Sequence, residues 1–365
     1  MGRLQAYVLT RMLAGVGGAL AILGSLVMLI SFVELSRRFG ARVSVGFFQL
    51  VGLMLLQSPS IILQLLPFVF LFGSLAAFVT MNRRSELVAM RAAGVSAWRF
   101  IFPAAGIAFL IGVVTVVALN PMAAALNSRF ETDRIELTEG HRSVGEAHEL
   151  WLRQGDERTQ IVIHAKDHDM QGGAVRLRGV SLFVQSITPS GGVEFTRRIE
   201  AAEARLDPGF WRLSDVREAA PGAASVRSET LSIPSTLDRG SAMEKFAPAG
   251  TVGFWALPVT IKRAEQAGLA SSPYRLLLQQ LLAAPLLFSA MTILAAAFSL
   301  RLMRLGGLAG LSGIGIALGF AIFFFNQFCG QLGASEVIPP VIAAWAPPLV
   351  ALLSGFTLIS YTEDG

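Results

Sequence analysis

Three arginines lie close together just after the first long uncharged run of the chain. Arg37, Arg38 and Arg42 follow the run Met12–Val33. A guanidinium group carries a planar fork of N–H donors that forms bidentate, charge-assisted bonds with phosphate. One interpretation is that these residues bind the phosphates of a lipid headgroup. The alternative is that they lie in the headgroup layer, or compensate a helix dipole, without binding a ligand.

The segment 82–100, between the second and third uncharged runs, is a second candidate site. Ser85 can cap the start of a helix, and Glu86 in the first turn would face the positive end of the helix dipole. Gly94 can end that helix in the left-handed conformation. We predict a short helix, held between two membrane spans, that a soluble motor domain could grip.

One face of this short helix carries Leu87, Met90 and Arg91, which follow one another at i, i+3 and i+4. A brief amphipathic helix of this kind, held between two spans, is what a soluble motor domain would grip. The alternative is a positively charged loop that only fixes the orientation of the chain in the membrane. The residues alone favour neither interpretation.

Recognisable catalytic motifs are absent from the sequence. A P-loop needs Gly-Lys followed by Ser or Thr, but Ala, Glu and Ile precede the only lysines, Lys166, Lys245 and Lys262. Neither a Gly-x-Ser-x-Gly elbow nor a cysteine and histidine nucleophile set is present. We expect no catalysis, cofactor or metal in this chain, so ATP hydrolysis would belong to another polypeptide.

Six uncharged runs set the architecture, since each is at least as long as the ~20 residues that a membrane-spanning helix needs. They predict an α-helical membrane protein with three spans before a polar block and three after it. Pro59 and Pro67 indicate that the second run is an outer segment plus one kinked span. The runs are Met12–Val33, Val43–Asn82, Phe100–Ser128, Leu276–Leu300, Leu305–Ser335 and Val337–Thr362.

Charge is concentrated between the two sets of runs. The block 129–275 holds 19 of the 30 basic and 20 of the 25 acidic residues, so it is nearly neutral. The basic excess lies at the membrane edges and does not predict a nucleic-acid surface. Arginines in the short loops would face the cytoplasm, which places the polar block outside. Arg129 and Arg134, just outside the third span, are weaker candidates for phosphate binding.

The polar block changes to short alternating runs from about Glu149 onwards, and Asp207, Pro208 and Gly209 form a turn signal. This pattern predicts antiparallel strands in a sandwich, barrel or jelly roll. Thr251–Gly268 mixes aromatic and charged residues, which suits a short helix at the membrane interface or ordinary domain packing.

Small residues repeat along the fifth uncharged run. This spacing allows close helix contacts that can repack, although static bundles use it as well. One interpretation is that these glycines contribute to a lateral opening of the bundle. They are Gly306, Gly310, Gly315 and Gly319.

The sequence resembles the YjgP/YjgQ family, the permease subunits LptF and LptG of the lipopolysaccharide-export ABC transporter. The resemblance covers nearly the whole chain and is carried by Arg84–Ser96, Ala204–Leu213 and Ile338-Pro339-Pro340. Phe32–Arg38 resembles the LptG segment that faces lipid A phosphates, which makes the chain most like LptG. Ser31 stands where some LptG proteins carry lysine.

The resemblance implies six transmembrane helices with an inserted periplasmic β-jellyroll in the bacterial inner membrane. It implies domains at 1–128, with a coupling helix at about 83–96, at 129–250, and at 251–365. The expected partners are an LptF-like permease, an LptB-like ATPase dimer that binds ATP and Mg, and the LptC and LptA bridge towards the outer membrane. The expected substrate is lipopolysaccharide, and Glu86 would contact the ATPase.

Other functions are open from the residues alone. The chain could be half of an ABC permease for another amphiphile, such as a lipoprotein or glycolipid. Many such permeases, however, place their outer domain between the first two spans. A membrane-anchored enzyme would need an acidic, histidine or cysteine cluster, and a static scaffold would show no coupling to ATP hydrolysis.

Overall fold

The structure is a computed structural model that describes residues 2–39, 46–139, 150–155, 159–171, 174–187, 193–207, 209–235, 249–266, 271–301 and 308–363. The chain divides into two compact units. A helical unit comprises residues 1–137, 249–257 and 272–365, and a second unit comprises 138–248 and 258–271. The strands all lie in the second unit.

The uncharged runs form long helices. The helices before the strands are α1 (Arg3–Phe39), α2 (Phe47–Arg83), α3 (Glu86–Ala92), α4 (Trp98–Val114) and α5 (Asn120–Glu139). The helices after them are α6 (Leu257–Gln266), α7 (Ser272–Arg301), α8 (Leu308–Ala334) and α9 (Pro340–Glu363). Among the described residues, five segments are long and apolar enough to cross a membrane, namely α1, α2, α4 continued into α5, α7 and α9. The predicted run Leu305–Ser335 forms α8, but its first half is only partly described, so the count of six spans stays a prediction.

Prolines in the second and third spans have different consequences. Pro59 and Pro67 lie inside α2, which continues for 37 residues, so the second uncharged run forms one helix and not two spans. In the third span a π-helical turn, Thr115–Leu119, joins α4 to α5 immediately before Pro121. Pro121 has no N–H to give the carbonyl of Val117 four residues earlier. The indole Nε1 of Trp255 donates to that carbonyl instead, at 3.0 Å.

Helix α7 is the centre of the helical unit. In its most apolar stretch of 18 residues 72% of the residues are buried, against 17% in the corresponding stretch of α1. It packs on α2, α4 and α9 in one large apolar cluster that includes Phe70, Phe78, Phe100 and Phe288. Glycines allow close approach at its crossings. A Cβ added to Gly112 of α4 would lie 2.6 Å from the Cα of Pro285.

The second unit contains a six-stranded antiparallel sheet in which every strand pairs with the next along the chain. Its strands are β1 (Leu150–Gly155), β2 (Thr159–Gln171), β3 (Ala174–Ile187), β4 (Val193–Asp207), β5 (Phe210–Ala219) and β6 (Val226–Pro234). Side chains of β2 to β6 form a single apolar cluster around Trp211, and they alternate along each strand except for one step of three residues in each of β3, β4 and β5. The predicted alternation is therefore confirmed, and its period of two puts the apolar set on one face.

Gln154 shows that this sheet is rolled. Gln154 lies on the edge strand β1, yet its Oε1 accepts hydrogen bonds from Trp211 Nε1 at 3.1 Å and Ser235 Oγ at 2.9 Å. Its Nε2 donates to the carbonyl of Pro234 on the opposite edge strand, β6, at 3.3 Å. Since β1 and β6 are the two ends of the strand order, one buried amide joins the two edges.

Candidate functional site

The short helix α3 ends as the sequence predicts but begins differently. Gly94 has φ +79°, its N–H donates to the carbonyl of Arg91 at 2.9 Å, and Val95 N–H donates to Met90 at 3.1 Å. These two bonds form a Schellman cap. Ser85 precedes the helix with φ +58°, and its side chain makes no capping hydrogen bond. The prediction that the Ser85 side chain caps α3 is wrong, because the left-handed backbone at Ser85 does not have the extended conformation of an N-cap.

The face of α3 formed by Leu87, Met90 and Arg91 is turned towards the chain itself. Leu87 is fully buried in the large apolar cluster, and Met90 packs against it. Val88, on the other side of the helix, is 38% exposed. Leu87 therefore anchors α3 to the helical unit, while Val88 and the half-buried Glu86 are open to a partner, and the assignment of α3 to ATPase coupling stays a prediction.

Glu86 is joined to α1 through a residue that the sequence analysis did not single out. Tyr7 donates its hydroxyl hydrogen to Oε2 of Glu86 at 3.0 Å, and Nε of Arg11 donates to the Tyr7 hydroxyl at 3.1 Å. The Arg11 guanidinium also lies 5.2 Å from the centre of the Tyr7 ring. Arg11, Tyr7 and Glu86 thus form one chain of hydrogen bonds between two helices. Tyr7 and Glu86 are 79 positions apart, so no local pattern indicates their contact.

At the other end of α1, Arg37 and Arg38 lie exposed in the last helical turn. Positive charge is favourable there because the carbonyl groups at a helix C-terminus carry partial negative charge. Arg38 forms an ion pair with Glu34 one turn earlier, whereas no carboxylate in the described ranges pairs with Arg37. Arg42 lies outside the described residues.

Arg129 and Arg134 lie on α5, which ends near the same region of the helical unit. Phe130 shares a small apolar cluster with Leu35 and Phe39 of α1. Arg129 is exposed, and Arg134 forms an ion pair with Glu131. The structure therefore brings the described arginines from two separate sequence segments to one end of the bundle, where a polyanionic headgroup could meet them.

A cavity of about 550 Å³ lies in the helical unit. Its lining comes mainly from α2, α5, α7, α8 and α9 and is mostly apolar, without a charged side chain among the lining residues. Five amide side chains also line it, and each of them interrupts an otherwise apolar helical segment: Gln64, Asn120, Gln280, Asn326 and Gln327. The sequence analysis missed these residues, although uncharged polar side chains inside a membrane span were a readable signal.

The glycines of the fifth run are described only in part. Gly306 lies outside the described residues, and Gly310 and Gly315 are helical positions whose surroundings are likewise not described. Gly319 is buried, and a Cβ there would lie 2.7 Å from Cδ2 of Leu71 on α2. Gly319 therefore permits the contact of α8 with α2.

Known proteins resemble the chain over nearly its whole length. The family model described as lipopolysaccharide export system permease LptF/LptG matches residues 6–361. The lipopolysaccharide export system permease protein LptG of Escherichia coli strain K12 is 22% identical over 355 residues, which cover 95% of this chain and 94% of that protein. LptG of Escherichia coli O6:H1 strain CFT073 matches with the same identity and coverage.

Proposed function

Since the chain belongs to the LptF/LptG family of lipopolysaccharide export permeases, it is a membrane subunit of that export system, and we propose that it is the LptG-like half. The similarity to two LptG proteins supports this assignment. So does the arginine pair at the end of α1, Arg37 and Arg38, which resembles the LptG segment. Its sister subunit would be an LptF-like permease in the bacterial inner membrane.

The observation that carries the mechanism is that α1 bears both candidate sites. Tyr7, at one end, contacts the short helix α3, and Arg37 and Arg38 lie at the other end. A separate LptB-like ATPase dimer, which binds ATP and Mg, would contact α3 from the cytoplasm through Glu86 and the exposed side around Val88. Lipopolysaccharide phosphates would contact the arginines at the outer surface.

The exposed apolar faces of α1 and α8 support an assembly with a second membrane subunit. Large apolar side chains such as Ile22, Leu29, Phe324 and Phe328 are more than half exposed. Contact with a sister permease, with lipid acyl chains, or with both in turn would cover these faces. Gly319, together with Gly306, Gly310 and Gly315, would then let α8 repack as the lateral opening closes.

The sheet would lie in the periplasm and receive lipid from the membrane part. Its apolar face around Trp211 suits acyl chains, and its edge strands suit the addition of strands from LptC and LptA. Arg42, Arg129 and Arg134 would add positive charge along the entry.

Co-purification from the native membrane, followed by mass spectrometry of protein and lipid, tests this proposal. We expect an LptB-like ATPase, an LptF-like permease and lipid A species in the same complex. An ATPase with a different lipid would change the substrate to another amphiphile. Recovery without an ATPase would contradict the proposed coupling.

A further inference from the structure

The start of α1 is attached to the loop between α2 and α4 at two points. Tyr7 donates to Glu86 at the start of α3, and Nε2 of Gln5 donates to the carbonyl of Arg99 in the first turn of α4 at 3.3 Å. Just after these points along α1, Val8 and Met12 are fully buried in the same apolar cluster as Leu87. The first turns of α1 and the short helix α3 therefore form one packed assembly.

Beyond Gly15, α1 packs mainly on α2, through buried residues that include Val27, Leu35 and Phe39. The crossing with α2 at Gly15 and Gly73 is close, but most side chains of the following three turns are exposed. In the most apolar stretch of 18 residues in α1, only 17% of the residues are buried, which is the lowest share among the five candidate spans. The exposed middle of α1 can therefore tilt with little repacking. Its arginine end, where Leu35 and Phe39 pack with residues of α2 and α5, would move together with those neighbours. Arg37 lies thirty residues beyond Tyr7, about 45 Å at 1.5 Å per residue.

The hydroxyl of Tyr7 is the polar link between α1 and α3. Its ring packs against the large apolar cluster, so packing holds the ring in place. Its oxygen accepts from Arg11 while its hydrogen points to Glu86 Oε2. No described residue donates to Oε1 of Glu86, so a cation from a partner could bind one carboxylate oxygen while Tyr7 keeps the other.

Resting on the proposed function, we propose that Tyr7 is a positioning residue that couples the ATPase contact at Glu86 to the movement of α1. Arg11 polarises the Tyr7 hydroxyl and so strengthens its bond to the carboxylate. When the ATPase displaces Glu86, α1 follows because Tyr7 and Leu87 hold it to α3. The arginine end of α1 then moves relative to the lipid.

Tyr7→Phe in the complete reconstituted complex tests this role, because it removes the hydroxyl and keeps the ring. Thr10→Val is the matched control, since the Thr10 hydroxyl bonds only to the carbonyl of Tyr7 within α1. The quantity measured is lipopolysaccharide released per ATP hydrolysed. We expect Tyr7→Phe to lower this ratio about five- to tenfold, the size of a typical coupling effect, with complex yield unchanged and Thr10→Val like wild type. A purely structural role would lower yield, hydrolysis and release together without changing the ratio.

A double-mutant cycle with Glu86→Gln provides the second measurement. If Tyr7 acts through Glu86, the two changes combined should lower the ratio no more than the stronger single change. A ratio in Tyr7→Phe equal to wild type, or additive effects in the cycle, would overturn the proposal.

Should Tyr7→Phe fail to assemble, Arg11→Gln is measured instead, and an unchanged ratio of lipopolysaccharide released per ATP hydrolysed would equally overturn the proposal. Failure of the proposed function is a different result, in which wild type itself shows no ATP-driven release.

Discussion

Gly15 of α1 and Gly73 of α2 face each other so closely that a Cβ on Gly15 would lie 2.3 Å from the carbonyl oxygen of Gly73. A Cβ on Gly73 would lie 2.4 Å from the Cα of Val16. Both obstacles are backbone atoms, so a side chain at either position forces the helices apart.

Gly73→Ala should therefore destabilise the helical unit by about 1–3 kcal/mol, the usual cost of overpacking. Thermal unfolding of the detergent-solubilised complex measures this. Gly17→Ala is the control, because a Cβ there meets no atom within 4 Å. Equal melting temperatures for the two variants would mean that α1 and α2 do not cross at these glycines.

Leu87 and Val88 separate anchoring from partner contact on α3. Leu87→Ala removes a fully buried side chain and should cost about 2–5 kcal/mol of stability. Val88→Ala, at a 38% exposed position, should leave the melting temperature nearly unchanged and weaken retention of the ATPase during purification. If Val88→Ala retains the ATPase as wild type does, the exposed side of α3 is not the docking surface.

Charge reversal at the end of α1 tests phosphate binding. Arg37→Glu with Arg38→Glu should reduce lipopolysaccharide-stimulated ATP hydrolysis about tenfold, since bonds to charged groups are among the stronger hydrogen bonds. Assembly of the complex should survive, because both side chains are exposed. Lys262→Glu, an exposed reversal on α6, is the control.

Glu34→Gln tests the same site in the opposite direction. It removes the carboxylate that pairs with Arg38 and should increase stimulation at low lipopolysaccharide concentration. Unchanged stimulation in the arginine double variant, or a decrease in Glu34→Gln, would remove the pair from the lipid site.

Gln154→Ala should open the rolled sheet at one end. The variant leaves the buried indole N–H of Trp211 without its acceptor, at a cost of about 1–3 kcal/mol. Hydrogen exchange of β1 and β6 in the intact complex measures the opening, and both strands should exchange faster together. Ser228→Ala, at an exposed position on β6, is the control. Slow exchange retained in both strands would show that Gln154 does not hold the edges.

Local features of the fold follow from local sequence. The Gly94 cap is predictable because its signal is the choice of one residue that tolerates positive φ. The strands are predictable from their alternation, and α2 is one helix because an apolar run outweighs the two prolines within it. The Ser85 prediction failed because capping propensity alone does not tell which backbone conformation the chain adopts before the helix.

Features that depend on distant parts of the chain were not predictable in the same way. The amphipathic face of α3 was identified, but its direction depends on Leu87 meeting a cluster built from α1, α2, α4 and α7. The bonds of Tyr7 to Glu86 and of Gln154 to Pro234 join residues about 80 positions apart. Neither bond has a periodic signal, because each arises only after the elements pack.

ATP-driven release of lipopolysaccharide from proteoliposomes tests the central claim most directly. The vesicles would contain this chain with its sister permease and ATPase, lipopolysaccharide and ordinary phospholipid, and a soluble periplasmic acceptor outside. We expect lipopolysaccharide, and not phospholipid, to reach the acceptor only with ATP and only when this chain is present. ATP hydrolysis without lipopolysaccharide transfer, or equal transfer of both lipids, would contradict the account.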